Sequence, residues 1–166
     1  MRFHIKERAW TLREQMTVKD QNGQPVFHVK GKFFHISDNL ILTDHSSGEE
    51  LAHIKQQLLK FTPHYEIQRK NAYKAHLHEN FFHLGGDRFK VKLDNGSTLH
   101  IDGDLFNWDF TINDENNNLW AQVNRRLSLF SDSYAVETAQ DVDVPFVIAL
   151  TITIEMIRKH EEEKKK

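Results

Sequence analysis

The sequence predicts a mainly β (α+β) fold, a closed antiparallel β-barrel of about twelve strands enclosing a hydrophobic C-terminal α-helix. Three observations carry that prediction. Short runs alternate apolar and polar residues with period two along most of the chain, which puts one face inward and one in water. The segment Val144 to Ile157 is apolar on every side, with Glu155 as its single charge, and a helix of that kind must be surrounded by protein or lipid. The strand region also repeats: His28, Val29 and Gly31 recur as His100, Ile101 and Gly103, and Asp44 recurs as Asp114. Ala52, Ile54, Leu58, Phe61 and Tyr65 recur as Ala121, Val123, Leu127, Phe130 and Tyr134. Two half-barrels, about residues 15–70 and 88–140, would close on each other and leave no exposed sheet edge.

The elements follow in order. Phe3 and Ile5, separated by His4, open the first strand. Gln15–Asp20 and Val26–Lys30 flank Asn22-Gly23, a hairpin signal because both residues accept positive φ cheaply. Lys32–Ile36 and Leu40–Thr43 come next, then a Ser46-Ser47-Gly48 loop. Ala52–Leu59, His64–Arg69 and Tyr73–His78 complete the first run. Phe89, Val91 and Leu93 alternate with Lys90 and Lys92, and Asn95-Gly96 turns the chain into Leu99 and Ile101. Asp109–Asn113, a loop at Asn116 to Asn118, Leu119–Leu127 and Ser133–Thr138 end the strands. Asp141 and Asp143 offer a helix cap, and Pro145 suits a first turn. The core helix is expected over about 144–160; Thr151 to Ile154 alternate, so a strand is the competing reading. No linker rich in Pro, Ser or Gly divides the chain, so residues 1–166 are read as one domain.

Composition narrows the function. A formal net charge of -2 argues against a general nucleic-acid binder. The absence of cysteine excludes disulfides, thiolate metal sites and a cysteine nucleophile. MRFHIKERAW holds no apolar signal core, and the late apolar run is shorter than the roughly 20 residues a spanning helix needs. A cytoplasmic protein, peripheral at a membrane at most, is expected.

The order and spacing of several short motifs resemble one family. They are Ile101-Asp102-Gly103-Asp104, Trp108-Asp109-Phe110-Thr111-Ile112, Ala121-Gln122-Val123-Asn124-Arg125-Arg126, Asp132-Ser133-Tyr134-Ala135-Val136-Glu137 and Phe146-Val147-Ile148-Ala149-Leu150. With Glu155 late in the hydrophobic segment, they resemble the LURP-one-related proteins, grouped with the Tubby C-terminal domain and the phospholipid scramblases. The resemblance implies a twelve-stranded antiparallel barrel around a central helix and no transferable catalytic residues. Tubby domains bind phosphoinositide headgroups through basic side chains, but no matching basic motif stands here. The membrane-associated tail and cysteine-rich sites of scramblases are absent as well.

Basic residues gather in four places: Lys30 with Lys32; Arg69 with Lys70 and Lys74; Arg88 with Lys90 and Lys92; and Arg125 with Arg126. Such a face can hold a phosphate headgroup, because Lys and Arg donors match phosphate oxygens; ordinary solubilising surface is the bland alternative. His76 and His78 share a strand face and His83 follows, a candidate zinc or nickel set. His28 and His100, equivalent in the repeat, suit strand-end hydrogen bonds better than a metal. Asp102, Asp104 and Asp109 invite an acid/base reading, although Gly103 between two aspartates is more simply a turn. Phe81-Phe82 beside Gly85-Gly86 suggest an exposed apolar tip. Glu155 in an apolar helix needs a partner, expected to be an arginine or a hydroxyl. No nucleophile elbow, P-loop or dinucleotide fingerprint occurs, so no cofactor is expected. The leading expectation is a non-catalytic binding module for an anionic phospholipid headgroup. The alternatives are a protein-interaction scaffold in a stress or defence response, and a histidine-dependent metal-binding protein or hydrolase.

Overall fold

The structure, a computed structural model, describes residues 1–6, 15–32, 39–59, 62–78, 88–128 and 132–164. Twelve strands make up the sheet: β1 (Arg2–Lys6), β2 (Gln15–Asp20), β3 (Pro25–Lys32), β4 (Asn39–Asp44), β5 (Glu50–Leu59), β6 (Thr62–Arg69), β7 (Lys74–His78), β8 (Arg88–Leu93), β9 (Thr98–Asp104), β10 (Asp109–Asp114), β11 (Leu119–Asn124) and β12 (Ser133–Thr138). Each pairs antiparallel with its sequence neighbours, and β12 closes on β1 to complete the barrel. One helix, α1 (Val144–Lys164), fills it.

Period two explains the walls. Val18, Val29, Leu42, Ile54, Ile67, Val91, Ile101, Ile112 and Val123 point inward and are buried, while their neighbours on each strand face out. The two halves share backbone devices. Gly31 in β3 and Gly103 in β9 both have positive φ, 146° and 125°, where the next strand crosses too closely for a side chain. Register shifts fall at Leu42/Thr43 in β4 and at Ile112/Asn113 in β10. Asp44 and Asp114 each end a strand and take the backbone N–H groups of the following turn on one carboxylate oxygen. The Ser46 hydroxyl and the donors of Ser47 hold the Asp44 carboxyl down to about 2.

Three expectations change. Gly103 lies within β9 rather than in a turn, because β10 presses on it. The strand expected over Leu119–Leu127 stops at Asn124, whose side chain accepts from the Arg126 N–H at 2.7 Å and starts a 3-10 turn over Arg125–Leu127. The helix runs on to Lys164. Of the expected strand Lys32–Ile36, Lys32 ends β3 and the rest lies outside the described residues.

The helix interior from Phe146 to Ile157 is buried on all sides. Its β-branched alternation is compatible with a helix because the Thr151 and Thr153 hydroxyls donate to the carbonyls of Val147 and Ala149, each at 2.8 Å. Nearer the C-terminus, fully buried Glu155 accepts from the Tyr134 hydroxyl at 2.7 Å and faces the Lys159 ammonium at 3.6 Å. The Tyr134 ring stacks on Trp108 at 3.8 Å, and the Arg158 guanidinium sits 5.0 Å from the Trp108 ring centre. The hydroxyl expected for Glu155 is therefore that of Tyr134. Glu155→Ala removes the acceptor of Tyr134 and a counter-charge of Lys159, and is expected to cost about 3 kcal/mol. Glu155→Gln keeps an acceptor and is expected to cost about 1 kcal/mol. Urea unfolding of both variants checks this; equal midpoints for Glu155→Ala and wild type would refute it.

Candidate functional site

On the wall formed by β6 to β9, inward Ala75, Leu77, Val91 and Leu93 leave Lys74, His76, Lys90 and Lys92 facing out. Pairing across the strands sets their neighbours. His76 lies opposite Glu66 on one side and Lys92 on the other. Lys90 lies opposite His100, and Arg88 opposite Asp102. Directly opposed residues have Cβ atoms roughly 5 Å apart, so Lys92 and His76 are neighbours on the outer face, with Lys90 two residues along it. Lys90, Lys92 and His76 are exposed. Lys74 is half-exposed and reaches Glu66 at 3.6 Å, and Asp102 accepts from the Asn113 amide at 3.3 Å. Glu66 and Asp102 thus border the patch, while its centre, around Lys90 and Lys92, is cationic.

His64 on β6 adds a group that the single-strand pattern does not show. It is 8 % exposed, and its Nε2 is 3.0 Å from Nδ1 of His76. Counting outward from the β6–β7 hairpin turn pairs Gln68 with Lys74, Glu66 with His76 and His64 with His78. That count was available from the sequence once the turn was located. The Nδ1 of His100 is buried and has no hydrogen-bond partner among the described residues.

The other basic candidates are dispersed. Lys30 is exposed on β3, opposite Gln15 and Ile41, and Lys32 ends that strand. Lys70, beyond the end of β6, pairs with Glu49 at 3.3 Å. Arg125 and Arg126 are exposed on the 3-10 turn. Arg69 is held by contacts within the fold. Its Nε donates to both oxygens of Asp143, at 2.9 and 3.0 Å, and its guanidinium also donates to the Leu51 carbonyl. An arginine aimed at a helix cap is engaged inside the fold, a role the local cluster Arg69, Lys70 and Lys74 did not disclose.

Of the metal candidates only the His76 side chain is described. His76 meets His64, the side chain of His78 is not described, and His83 lies outside the described residues, as do Phe81, Phe82, Gly85 and Gly86. Among the described residues no group of three or more His, Asp or Glu is placed to hold a metal ion. His28 contacts Thr17 at 3.2 Å and His45, and burial first, then His45 and Lys30, hold its imidazole below the ordinary range. Asp102 and Asp109 bond to side chains of the neighbouring strands, and Asp104 serves a turn. Asp104 accepts from Asn107 and Phe106, and those hydrogen bonds, the Asn107 amide foremost, keep its carboxyl below the usual range. Asp109 accepts from the Asn124 amide at 3.0 Å.

Known proteins resemble this chain in sequence and in fold. The chain matches the sequence profile of the family described as LURP-one-related over residues 1–155. An uncharacterised protein of Bacillus subtilis (strain 168), YxjI, is 28% identical over 159 residues, covering 96% of this chain and 94% of that protein. The X-ray structure of an Arabidopsis thaliana protein superposes with a TM-score of 0.58 at 15% identity, over 93% of this chain and 90% of that one. That structure has the Tubby-like fold class, and at this identity the likeness speaks to fold alone. No helix of the described residues is long and apolar enough to cross a membrane.

Proposed function

The chain belongs to the LURP-one-related family, and from that premise we propose that it is a non-catalytic binding module that engages anionic phospholipid headgroups at a membrane surface. The supporting observation is the gathering of Lys74, Arg88, Lys90 and Lys92 on the adjacent strands β7 and β8. Lysine and arginine N–H groups donate charge-assisted hydrogen bonds to phosphate oxygens. A rigid barrel wall fixes their backbone in advance, and the local field does not require a positive net charge. On this reading the protein works in the cytoplasm, where anionic lipid faces it.

Co-sedimentation with phosphatidylcholine vesicles, with and without phosphatidylserine, tests the proposal. Binding is expected only to the anionic vesicles, and each lost cation should weaken it about fivefold. A double variant, Lys90→Gln with Lys92→Gln, should therefore bind at least tenfold more weakly, with its unfolding midpoint near wild type, since both side chains are exposed. Wild type failing to sediment with anionic vesicles, or the double variant sedimenting equally well, would rule the reading out.

A further inference from the structure

We propose that His28 and His45 form a two-imidazole site for a divalent transition-metal ion, copper(II) ahead of zinc(II). The observation that carries it is the approach of His28 Nε2 to His45 Nδ1, 2.5 Å apart, with ring centres 4.6 Å apart. Two ring nitrogens from different parts of the chain thus face one spot on the outside of the barrel.

The backbone brings them together. His28 faces outward from β3, between buried Phe27 and Val29. His45 follows β4, and its N–H donates to the Val26 carbonyl at 2.9 Å, so the pairing of β3 with β4 runs one step past Phe27 and Asp44. That step sets His45 diagonally across from His28, within reach of a ring side chain. On the other side, Nδ1 of His28 lies 3.2 Å from the Thr17 hydroxyl of β2. With the proton on Nδ1 and Thr17 accepting it, Nε2 offers its lone pair outward, the arrangement found behind ligating histidines. A bound ion selects that tautomer, whichever the free protein holds.

The chemistry suits a borderline cation. Neutral imidazole binds copper, nickel and zinc, and copper(II) heads the order of affinity at a nitrogen site. Metal–nitrogen bonds of about 2.0 to 2.1 Å put two ligating nitrogens about 3 Å apart. A small rotation of the exposed His45 side chain opens the pair by that amount. Burial first, then His45 and Lys30, hold the His28 imidazole below its ordinary range, so protons compete weakly with a metal. Two protein ligands leave the other positions to water, which makes the site an open one.

The fold does not require the pair. His100 and Asp114 stand in the second half where His28 and Asp44 stand in the first, and both aspartates hold the turn that follows. Asp114 is followed by Glu115, and its turn forms without a second imidazole.

Copper(II) titrated into the full chain at about pH 7.5, above the imidazole range, tests the site by NMR and calorimetry. Amide signals of residues 26–30 and 43–46 are expected to broaden before any others, because the paramagnetic ion relaxes nuclei close to it. His45→Ala, at an exposed position, should unfold like wild type, lose that early broadening and bind copper(II) at least tenfold more weakly. Thr17→Val should weaken binding about tenfold, and Thr17→Ser should restore it. Broadening that begins at other histidines, or equal copper(II) affinity in His45→Ala, would overturn the site. Equal affinity in Thr17→Val would overturn the orienting role of its hydroxyl.

Discussion

Asp143→Ala is expected to lower the free energy of unfolding by about 3 kcal/mol, through the loss of a cap and a partly buried ion pair together. Asp143 closes the β12 side of the core helix, where the Val147 N–H donates to its carbonyl at 3.0 Å and the Phe146 N–H approaches its carboxylate at 3.4 Å. The same carboxylate receives Nε of Arg69 and the hydroxyl of Tyr73 at 2.6 Å. The ion-pair side chains are only 19% and 24% exposed, so solvent screens them weakly. Burial first, and then the Asp143 hydrogen bond, push the Tyr73 hydroxyl well above its ordinary range, so it stays a donor at every ordinary pH. Without Asp143 the Arg69 guanidinium keeps the Leu51 carbonyl but loses its counter-charge.

Tyr73→Phe removes one of these bonds and is expected to cost about 1 kcal/mol. A double-mutant cycle of Asp143→Ala with Arg69→Met, followed by urea unfolding, separates the pair from the cap. A loss below about 1 kcal/mol for Asp143→Ala would reduce its role to capping alone.

Gly103→Ala is expected to be at least as damaging, at about 3 kcal/mol or more, because backbone strain and overpacking coincide at that position. A Cβ there would lie 2.5 Å from the Asp109 carbonyl oxygen and 2.8 Å from the Phe110 Cα, on a backbone with φ of 125°. Neither neighbour can swing away, since both belong to the paired main chain of β10. Gly96 supplies the control. Its φ of 91° is also left-handed, yet a Cβ there meets nothing within 4 Å, so Gly96→Ala carries conformational cost alone, about 1 kcal/mol. Comparable urea midpoints for the two variants would mean that the close crossing of β9 and β10 does not constrain the barrel. Gly31 meets the backbone of Asn39 in the same way, so its substitution is expected to follow Gly103 rather than Gly96.

The fold was largely readable from local chemistry. Alternation placed Val91 and Leu93 inside and Lys90 and Lys92 outside, as the barrel has them. The apolar run from Phe146 to Ile157, interrupted only by threonines and Glu155, required an enclosing wall, and twelve paired strands supply it. The repeat pointed to Gly31 and Gly103 as equivalent, but spacing said nothing of the pressing neighbour strand, so Gly103 read as a turn. Asn124 looked like one more strand residue because only its side-chain contact with the Arg126 N–H reveals a cap.

The site was less readable. Period two assigns each residue to the inner or outer face and nothing more, since that much follows from the pleat of one strand. Which outward side chains become neighbours depends on register between strands, and for distant segments on closure of the barrel. Arg69 and Asp143 are 74 residues apart and meet because the helix enters where β6 ends. His64 finds His76 through the stagger of one hairpin, and Lys90 and Lys92 join them from the following strand. Inside and outside are thus properties of the local chain, whereas the company each charge keeps is a property of the closed wall.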